Sequence, residues 1–581
     1  MSEHITITHE RTDDLPVIIA FLQKMRVAAL IDTHFPTNGT WTGWSLGQML
    51  VVWFTCIISA GDHRLSHVEP WVAAHQHTLS RSLHHEVRPR DCTDDRLATG
   101  LAYRCVAENW AECACALNPP LIRVYDLRPN TIRVDPTTVS AYVTPDGLLQ
   151  LGHSKAHRPD LPQLKLALAT LDPLGLPLTI ATVAGNTADD PLSLPASATV
   201  RRSVGLAGLT YIGDCKRAAR ATRADIVAHQ DFSLCPLSAT QVSAEALDRL
   251  LEPIWSSEPP LEAVRLTAEG HAEAQAEPDA VGCAYAVEQV GHGPSGQPQR
   301  WQERRVVGRS LAHARLQAEG LRQRAQRAVD EIKALKERQQ GKKRRTTAAE
   351  ALQAADAIRA RHRVGDIVQR GTHTIGHEET KRRYGQRPAQ TRRTTSVQGE
   401  ARIEQAAMVQ AIRRLGWRVY ATNHDQEAMN RKQVVAAYRS ESLGEPGMRR
   451  LKGHALSLTP LSLPCEQRIV GLSFLLSIAL RVLVLMQFGA REHLQREGTT
   501  LTGIYPGQPG RQTTRPTTEM MLHGFRGITL SRMTVNGETY EHLTPLTPVQ
   551  ERIVELIGIP LETFSRLAPQ LSKIAFHSHE P

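Results

Sequence analysis

Three acidic residues and two neighbours with phosphate-binding side chains are the groups in this 581-residue chain whose types and spacing could do chemistry. Asp135 and Asp214 each end a short apolar run, and Glu445 lies midway between Tyr438 and Lys452. Tyr438, Glu445 and Lys452 are spaced by about two helical turns, so a single helix would place them on one face. Carboxylates that converge in a cleft bind hard divalent cations. Two such ions about 3.5–4 Å apart promote phosphodiester displacement, so the pattern predicts metal-dependent cleavage of nucleic acid.

Each of these residues also has an ordinary structural explanation. Aspartates at strand ends are common turn formers. A Tyr–Glu–Lys stripe also fits the solvent face of a surface helix. Spacing alone does not choose between the two explanations.

Composition indicates the class of partner. The net charge is +10 and the pI is about 9.2, which favours a polyanion, although a merely soluble basic enzyme has the same charge. The nine cysteines are scattered without a CxxC pair, so we expect reduced thiols in a cytoplasmic protein and no zinc site. The N-terminus lacks the pattern of a signal peptide. The apolar stretch 469–488 contains Arg481, so we expect a buried helix and no membrane partner.

The hydrophobic pattern changes along the chain and predicts five regions. Residues 1–120 have helical periodicity, and 121–237 contain short β-rich runs at 131–135, 164–172, 178–185, 209–214 and 232–237. The turn signal Asp172-Pro173-Leu174-Gly175 predicts a hairpin between the second and third runs, and a helix is expected over 192–204. Three strands, a helix, a strand and a helix describe an α/β sheet whose first strands are antiparallel.

The second half of the chain interrupts and then resumes this pattern. Residues 238–415 predict an insertion with a long hairpin, an amphipathic helix over about 309–340, and basic clusters at 342–345 and 381–383. Those clusters fit either a solvated face or phosphate contact. Residues 416–495 predict a strand at 416–423 and helices over about 425–453 and 466–493. Residues 496–581 predict a linker and a small helical region.

Four motifs resemble the DDE transposases of bacterial insertion sequences, in the group with a Y-(2)-R-(3)-E-(6)-K signature. VDPTTVSAY (134–142) resembles the block around the first catalytic aspartate, and YIGDCK (211–216) resembles the second. GHSKAHRPDLPQLKLALATLDPLGLPLTIATVAGNTADDP (152–191) resembles the block that follows the first aspartate. YRSESLGEPGMRRLKG (438–453) resembles the signature helix. The resemblance runs over nearly the whole chain.

The resemblance implies an α/β fold with a ribonuclease H-like mixed-sheet catalytic domain, interrupted by a large insertion and flanked by helical N-terminal and C-terminal regions. It implies Asp135, Asp214 and Glu445 as ligands of two Mg²⁺ ions, for which Mn²⁺ can substitute. Tyr438 and Lys452 would contact the DNA backbone. The partners implied are the element's terminal inverted repeats and a target duplex, bound by a homodimer in the bacterial nucleoid.

The chain departs from the signature at two positions. Glu441 replaces the expected arginine, for which Arg439 is the nearest substitute. Pro446 follows the predicted metal ligand, and a proline inside a helix costs about 3 kcal/mol. Either the helix kinks there, or it begins there with Pro446 in its first turn. The alternative functions are a catalytically impaired transposase relic that only binds DNA, and a general metal nuclease.

Overall fold

The computed structural model describes residues 5–103, 107–155, 157–256, 262–264, 279–293, 296–336, 347–381, 390–439, 445–461, 463, 465–535 and 538–568. These residues form two compact units. Unit 1 is built from the described parts of 1–235, 289–301 and 437–581, and unit 2 from those of 236–288 and 302–436. The candidate chemistry lies in unit 1.

The N-terminal region of unit 1 is mainly helical, as its periodicity predicts, but it opens with a strand. Ile5 and Ile7 alternate with polar residues, which is a strand period that the helical interpretation missed. The predicted region boundary at residue 120 falls inside the helix Ala107–Val124. The helix continues through Pro119 and Pro120, with buried Leu117 and Leu121 on either side. The elements are β1 (Ile5–Arg11), α1 (Leu15–Lys24), α2 (Val27–His34), α3 (Leu46–Ala60), α4 (Leu65–Ala74), α5 (Gln76–Leu83), α6 (Asp94–Ala102) and α7 (Ala107–Val124).

A mixed sheet of five strands follows and carries the candidate site. The predicted hairpin is confirmed, because two apolar runs pair antiparallel across the Asp172–Gly175 turn. The strand order is β4-β3-β2-β5-β6. β3 pairs antiparallel with both β2 and β4, whereas β5 runs parallel to both β2 and β6. The elements are β2 (Thr131–Ser140), β3 (Gln163–Leu171), β4 (Leu176–Ala184), α8 (Ser193–Val204), β5 (Thr210–Ile212), α9 (Arg220–Ala228) and β6 (Phe232–Pro236).

Unit 2 contains the predicted hairpin and amphipathic helix. Its strands follow the order β12-β9-β8-β7, and β10 and β11 form a separate antiparallel ribbon. Tip residues 289–301 of the β8–β9 hairpin belong to unit 1, where Trp301 is buried beside Arg223. The elements are α10 (Ala244–Trp255), β7 (Glu262–Val264), β8 (Ala280–His292), β9 (Pro298–Ser310), α11 (Leu311–Lys333), α12 (Ala348–His362), β10 (Val368–Lys381), β11 (Gln390–Ile403), α13 (Gln405–Arg413), β12 (Trp417–Thr422) and α14 (Arg431–Arg439).

The C-terminal part returns to unit 1 and packs around one long helix. In the part of the chain that the structure describes, this helix, α16, is the one long and apolar enough to cross a membrane, and 89% of its apolar window is buried inside the protein. The strand β15 pairs antiparallel with β1, so the N-terminal and C-terminal regions contribute to one three-stranded sheet, which the sequence patterns did not predict. The elements are α15 (Glu445–Lys452), α16 (Glu466–Glu497), β13 (Leu501–Thr502), β14 (Gln512–Thr513), α17 (Thr518–His523), β15 (Thr529–Val535), β16 (Glu538–Leu543), α18 (Pro548–Leu556) and α19 (Glu562–Ser565).

Candidate active site

The parallel register of β2 and β5 brings the two aspartates side by side. Arg133 of β2 is opposite Ile212 of β5, and the same offset relates Asp135 to Asp214. Neighbouring strands lie about 4.8 Å apart, and residues in register share a face. The sequence predicted that Asp135 ends its strand. This prediction is wrong, because β2 continues to Ser140. It is β5 that ends, and this leaves Asp135 exposed beside the start of the next loop.

Asp214 is held just beyond the end of β5 by its own loop. Its backbone is extended, and its Oδ1 accepts a hydrogen bond of 2.9 Å from the Lys216 N–H. The preceding Gly213 has no room for a side chain, since a Cβ would lie 2.1 Å from Cδ of Arg217. Arg217 is buried, donates to Ser197 Oγ at 3.0 Å and lies over the ring of Tyr211. The sequence YIGD therefore packs an arginine against a glycine and so directs Asp214 away from the core.

Asp135 and Asp214 line one small cavity. Its volume is about 30 Å³, which is room for one or two water-sized bodies. Its walls come from β2, β3, the end of β5 and α15. They comprise Arg133, Val134, Asp135, Leu168, Thr170, Ile212, Gly213, Asp214 and Met448.

The helix that begins at Glu445 borders this cavity through Met448. The expected single helix over 425–453 is wrong: the described residues form α14 and α15, so helical spacing does not place Tyr438 on the face of Lys452. Pro446 lies in the first turn of α15, where backbone N–H groups have no intrahelical acceptor. Residues 440–444, which would distinguish a kink from a helix start at this proline, lie outside the described residues. Glu441 lies outside the described residues, as does the side chain of Glu445.

α15 is attached firmly to the rest of unit 1. Arg450 forms a bidentate ion pair with Glu519 of α17, at 2.6 and 2.8 Å, and also donates to Gln487 of α16. The buried Gly447 lies beside Leu480 of α16 and the carbonyl of Gly175 in the β3–β4 turn. These contacts fix the orientation of the helix that carries Glu445.

Arg133 connects the end of α14 to the cavity. Its Nε donates to Asp172 at 2.6 Å, and its Nη2 donates to the Ala437 carbonyl at 2.6 Å. Tyr438, the next residue, is 7% exposed, and Arg439 is half-buried. The structure therefore brings the segment of Tyr438 close to the two aspartates, and the predicted DNA contacts of Tyr438 and Arg439 stay predictions.

Lys452, at the end of α15, lies within electrostatic range of Asp135. Burial lowers the pKa of its ammonium group, Lys155 lowers this pKa further, and Asp135 raises it. Asp135, Asp214, Lys452 and the start of α15 are thus brought together. The basic cluster 342–345 and residues 382, 383 and 387 lie outside the described residues.

Sequence reasoning missed two charged residues that support the site. Arg133 and Lys165 each interrupt an apolar strand, and that interruption was the available signal, because a buried charge needs a partner. Asp189 is the partner of the second: its Oδ1 accepts a hydrogen bond of 2.7 Å from the buried Lys165.

The donor chemistry of the two aspartates suits a hard divalent cation. Asp135 is exposed, and the backbone hydrogen bond that Asp214 accepts on Oδ1 leaves acceptor capacity on a carboxylate with about four lone-pair sites. Within the described residues, no group of three or more His, Cys, Asp or Glu side chains is arranged to hold a metal ion. The side chain of Glu445, the third predicted ligand, lies outside the described residues.

No protein-family model matches the chain. No curated protein matches it either. Among solved structures, one match is a piggyBac transposase in a cryo-EM synaptic complex with hairpin DNA. The two chains are 9% identical, the TM-score is 0.23, and the match covers 50% of this chain and 62% of that one. A likeness at this TM-score carries no argument about fold or function.

Proposed function

We propose that this chain is a DDE transposase of the bacterial insertion-sequence type, which cleaves DNA strands at its element's terminal inverted repeats and transfers them to a target. The observation that carries the proposal is the shared cavity of Asp135 and Asp214, bordered by the helix that begins at Glu445. Residues far apart in the chain meet there through strand register and helix packing.

The five-stranded sheet supports a ribonuclease H-like assignment. Three antiparallel strands precede α8, and two parallel strands flank α9 in the order β4-β3-β2-β5-β6. In this arrangement the first aspartate lies on the central strand and the second beyond its parallel neighbour. The glutamate belongs to a later helix, after the unit 2 insertion.

In the proposed reaction, Asp135, Asp214 and Glu445 would hold two Mg²⁺ or Mn²⁺ ions. These ions would neutralise charge on the phosphate and lower the pKa of the attacking oxygen. A water oxygen attacks phosphorus and the 3′ oxygen leaves as a hydroxyl group. That hydroxyl then attacks a target phosphodiester and displaces its 5′ fragment. Both steps are in-line displacements at phosphorus, so one set of carboxylates serves both.

The chain's own residues would position the DNA strand. Lys452 presents an ammonium group beside Asp135, where it can bind a phosphate oxygen. Arg133 donates to the Ala437 carbonyl at the end of α14, and the neighbouring Tyr438 would contact the same DNA strand. We further propose a homodimer that holds two element ends together in the nucleoid.

Strand cleavage in vitro tests the proposal. Purified protein is incubated with Mg²⁺ or Mn²⁺ and a labelled duplex that carries the inverted repeat flanking the reading frame. We expect cleavage at the element end that is lost in Asp135→Ala, Asp214→Ala and Glu445→Gln. Asp160→Ala is the matched control, because Asp160 is an exposed carboxylate paired with Arg158 and is not part of the cavity wall.

Each other outcome selects a different function. Sequence-specific binding without cleavage indicates the impaired relic. Cleavage that ignores the element end indicates a general nuclease. Full cleavage by Asp135→Ala would refute the assignment of the site.

A further inference from the structure

A second lysine lies beside Asp135, on the loop between β2 and β3. The Nζ of Lys155 donates a 2.5 Å hydrogen bond to the carbonyl of Pro136, the residue directly after Asp135. The same ammonium group lies 3.8 Å from Asp189 Oδ2, and 38% of the side chain is exposed. One of its three N–H donors is therefore used on the β2 backbone, and the group still faces solvent.

The loop that carries Lys155 is firmly held. The buried Ser154 accepts a 3.1 Å bond from the Arg158 N–H through its hydroxyl oxygen. Gln163 at the start of β3 donates to the His153 carbonyl at 2.9 Å. Gly152 packs so closely that a Cβ would lie 2.5 Å from the carbonyl oxygen of Gly185. A pre-organised loop loses little conformational entropy when a ligand binds its lysine.

The charges near Lys155 leave a local excess of positive charge. Asp189 is closer to Lys165, at 2.7 Å, than to Lys155, at 3.8 Å. The charge of Lys155 lowers the pKa of the nearby Lys452, and the charge of Asp135 raises the pKa of Lys452. The ammonium groups of Lys155 and Lys165 thus share the carboxylate of Asp189, which is an arrangement that favours an additional anion.

We propose that Lys155 and Lys452 together bind the non-bridging oxygens of a DNA phosphate that lies across Asp135. This inference rests on the proposed function, and it adds a phosphate-binding residue from the β2–β3 loop. The competing explanation is that Lys155 only ties its loop to β2. The two explanations differ in the salt dependence of DNA binding, because only a phosphate contact releases counterions.

The test measures equilibrium binding of Lys155→Gln to the inverted-repeat duplex by fluorescence anisotropy, at salt concentrations between about 50 and 200 mM. Loss of one phosphate contact should lower the slope of log K against log salt by about 0.9. At the lowest salt, we expect about tenfold weaker binding and a matching loss of cleavage. Lys155→Arg should restore most of both.

Arg158→Gln is the matched control on the same loop. Its guanidinium group already forms two bonds with Asp160, at 2.9 and 2.7 Å, so its removal should leave the salt slope unchanged. An unchanged salt slope in Lys155→Gln, with or without a lower melting temperature, would overturn the inference. The proposed function would still stand in that case, provided that the wild-type protein is active. Wild-type protein that neither binds nor cuts the duplex would refute the proposed function first, and the inference with it.

Discussion

The buried ion pair between Arg133 and Asp172 provides the sharpest test of how the site is held. Both side chains are nearly buried, at 6% and 9% exposure, and their charged atoms are 2.6 Å apart. Replacing Arg133 with methionine removes one partner and leaves Asp172 as an uncompensated buried carboxylate. It also removes the donor to the Ala437 carbonyl at the end of α14.

The expected cost follows from these contacts. Breaking a buried pair by removing one partner costs about 3–5 kcal/mol, whereas an exposed pair contributes about 0–1 kcal/mol. Burial raises the pKa of Asp172, and Arg133 lowers it, so the variant should raise this pKa further. A carboxyl group whose pKa is raised in the folded state lowers the free energy of unfolding only at pH values at which the group ionises. The part of the cost that comes from Asp172 should therefore vanish below the unfolded pKa of about 3.9 and grow as pH rises through the folded value, whereas the part that comes from the Ala437 carbonyl should remain at every pH.

The assay is urea denaturation of wild type and Arg133→Met at pH 4 to 8, followed by tryptophan fluorescence. We expect a loss of about 3–5 kcal/mol at pH 7 that shrinks in acid. Arg133→Met/Asp172→Leu should recover the part due to Asp172, and the remaining loss should reflect the Ala437 carbonyl. The exposed-pair control Arg158→Gln should lose no more than about 1 kcal/mol. A loss below about 1 kcal/mol in Arg133→Met, or one independent of pH, would refute this reasoning.

Three further substitutions test other parts of the fold by the same denaturation assay. Burial raises the pKa of Asp14 to about 6, so the stabilising contribution of this residue is lost as pH rises from about 4 to 6. Asp14→Asn should be up to about 3 kcal/mol more stable than the wild type at pH 7 and should lack this pH dependence. Equal pH profiles for the two proteins would contradict this. Gly416→Ala should cost about 2–4 kcal/mol of stability, because φ is +81° and a Cβ would lie 2.6 Å from the Cβ of Ala314. Gly205→Ala should cost about 1 kcal/mol, because φ is +71° but the space around it is open. Similar losses in the two variants would contradict the steric account. Ser45→Ala should cost about 1 kcal/mol by removing the capping box of α3, and a loss in Ser45→Asp as large as in Ser45→Ala would count against capping.

Local patterns predicted the elements that depend on neighbouring residues. The β3–β4 hairpin follows from two apolar runs around a turn, and the helical character of α8 and α11 follows from periodicity. The seven-residue spacing favoured one helix over 425–453, but the helical residues described there start only at Arg431.

Long-range pairing was beyond the reach of the sequence pattern. The strand β1 completes a sheet with β15, almost the whole chain away, and no local signal names that partner. For the candidate site, the residue types indicated the two aspartates, but only the β2–β5 register places them side by side. The roles of Arg133 and Lys165 depend on partners that are distant in sequence, Ala437 and Asp189.

The central claim is that Asp135, Asp214 and Glu445 hold common divalent ions. Its most direct test replaces Mg²⁺ with Fe²⁺ in the presence of ascorbate and peroxide, so that hydroxyl radicals cut the backbone next to the bound ion. Peptide mapping should find cuts within a few residues of all three positions, suppressed by excess Mg²⁺ and lost in Asp135→Ala. Cuts that spare the segment around residue 445, or that persist in Asp135→Ala, would contradict the claim.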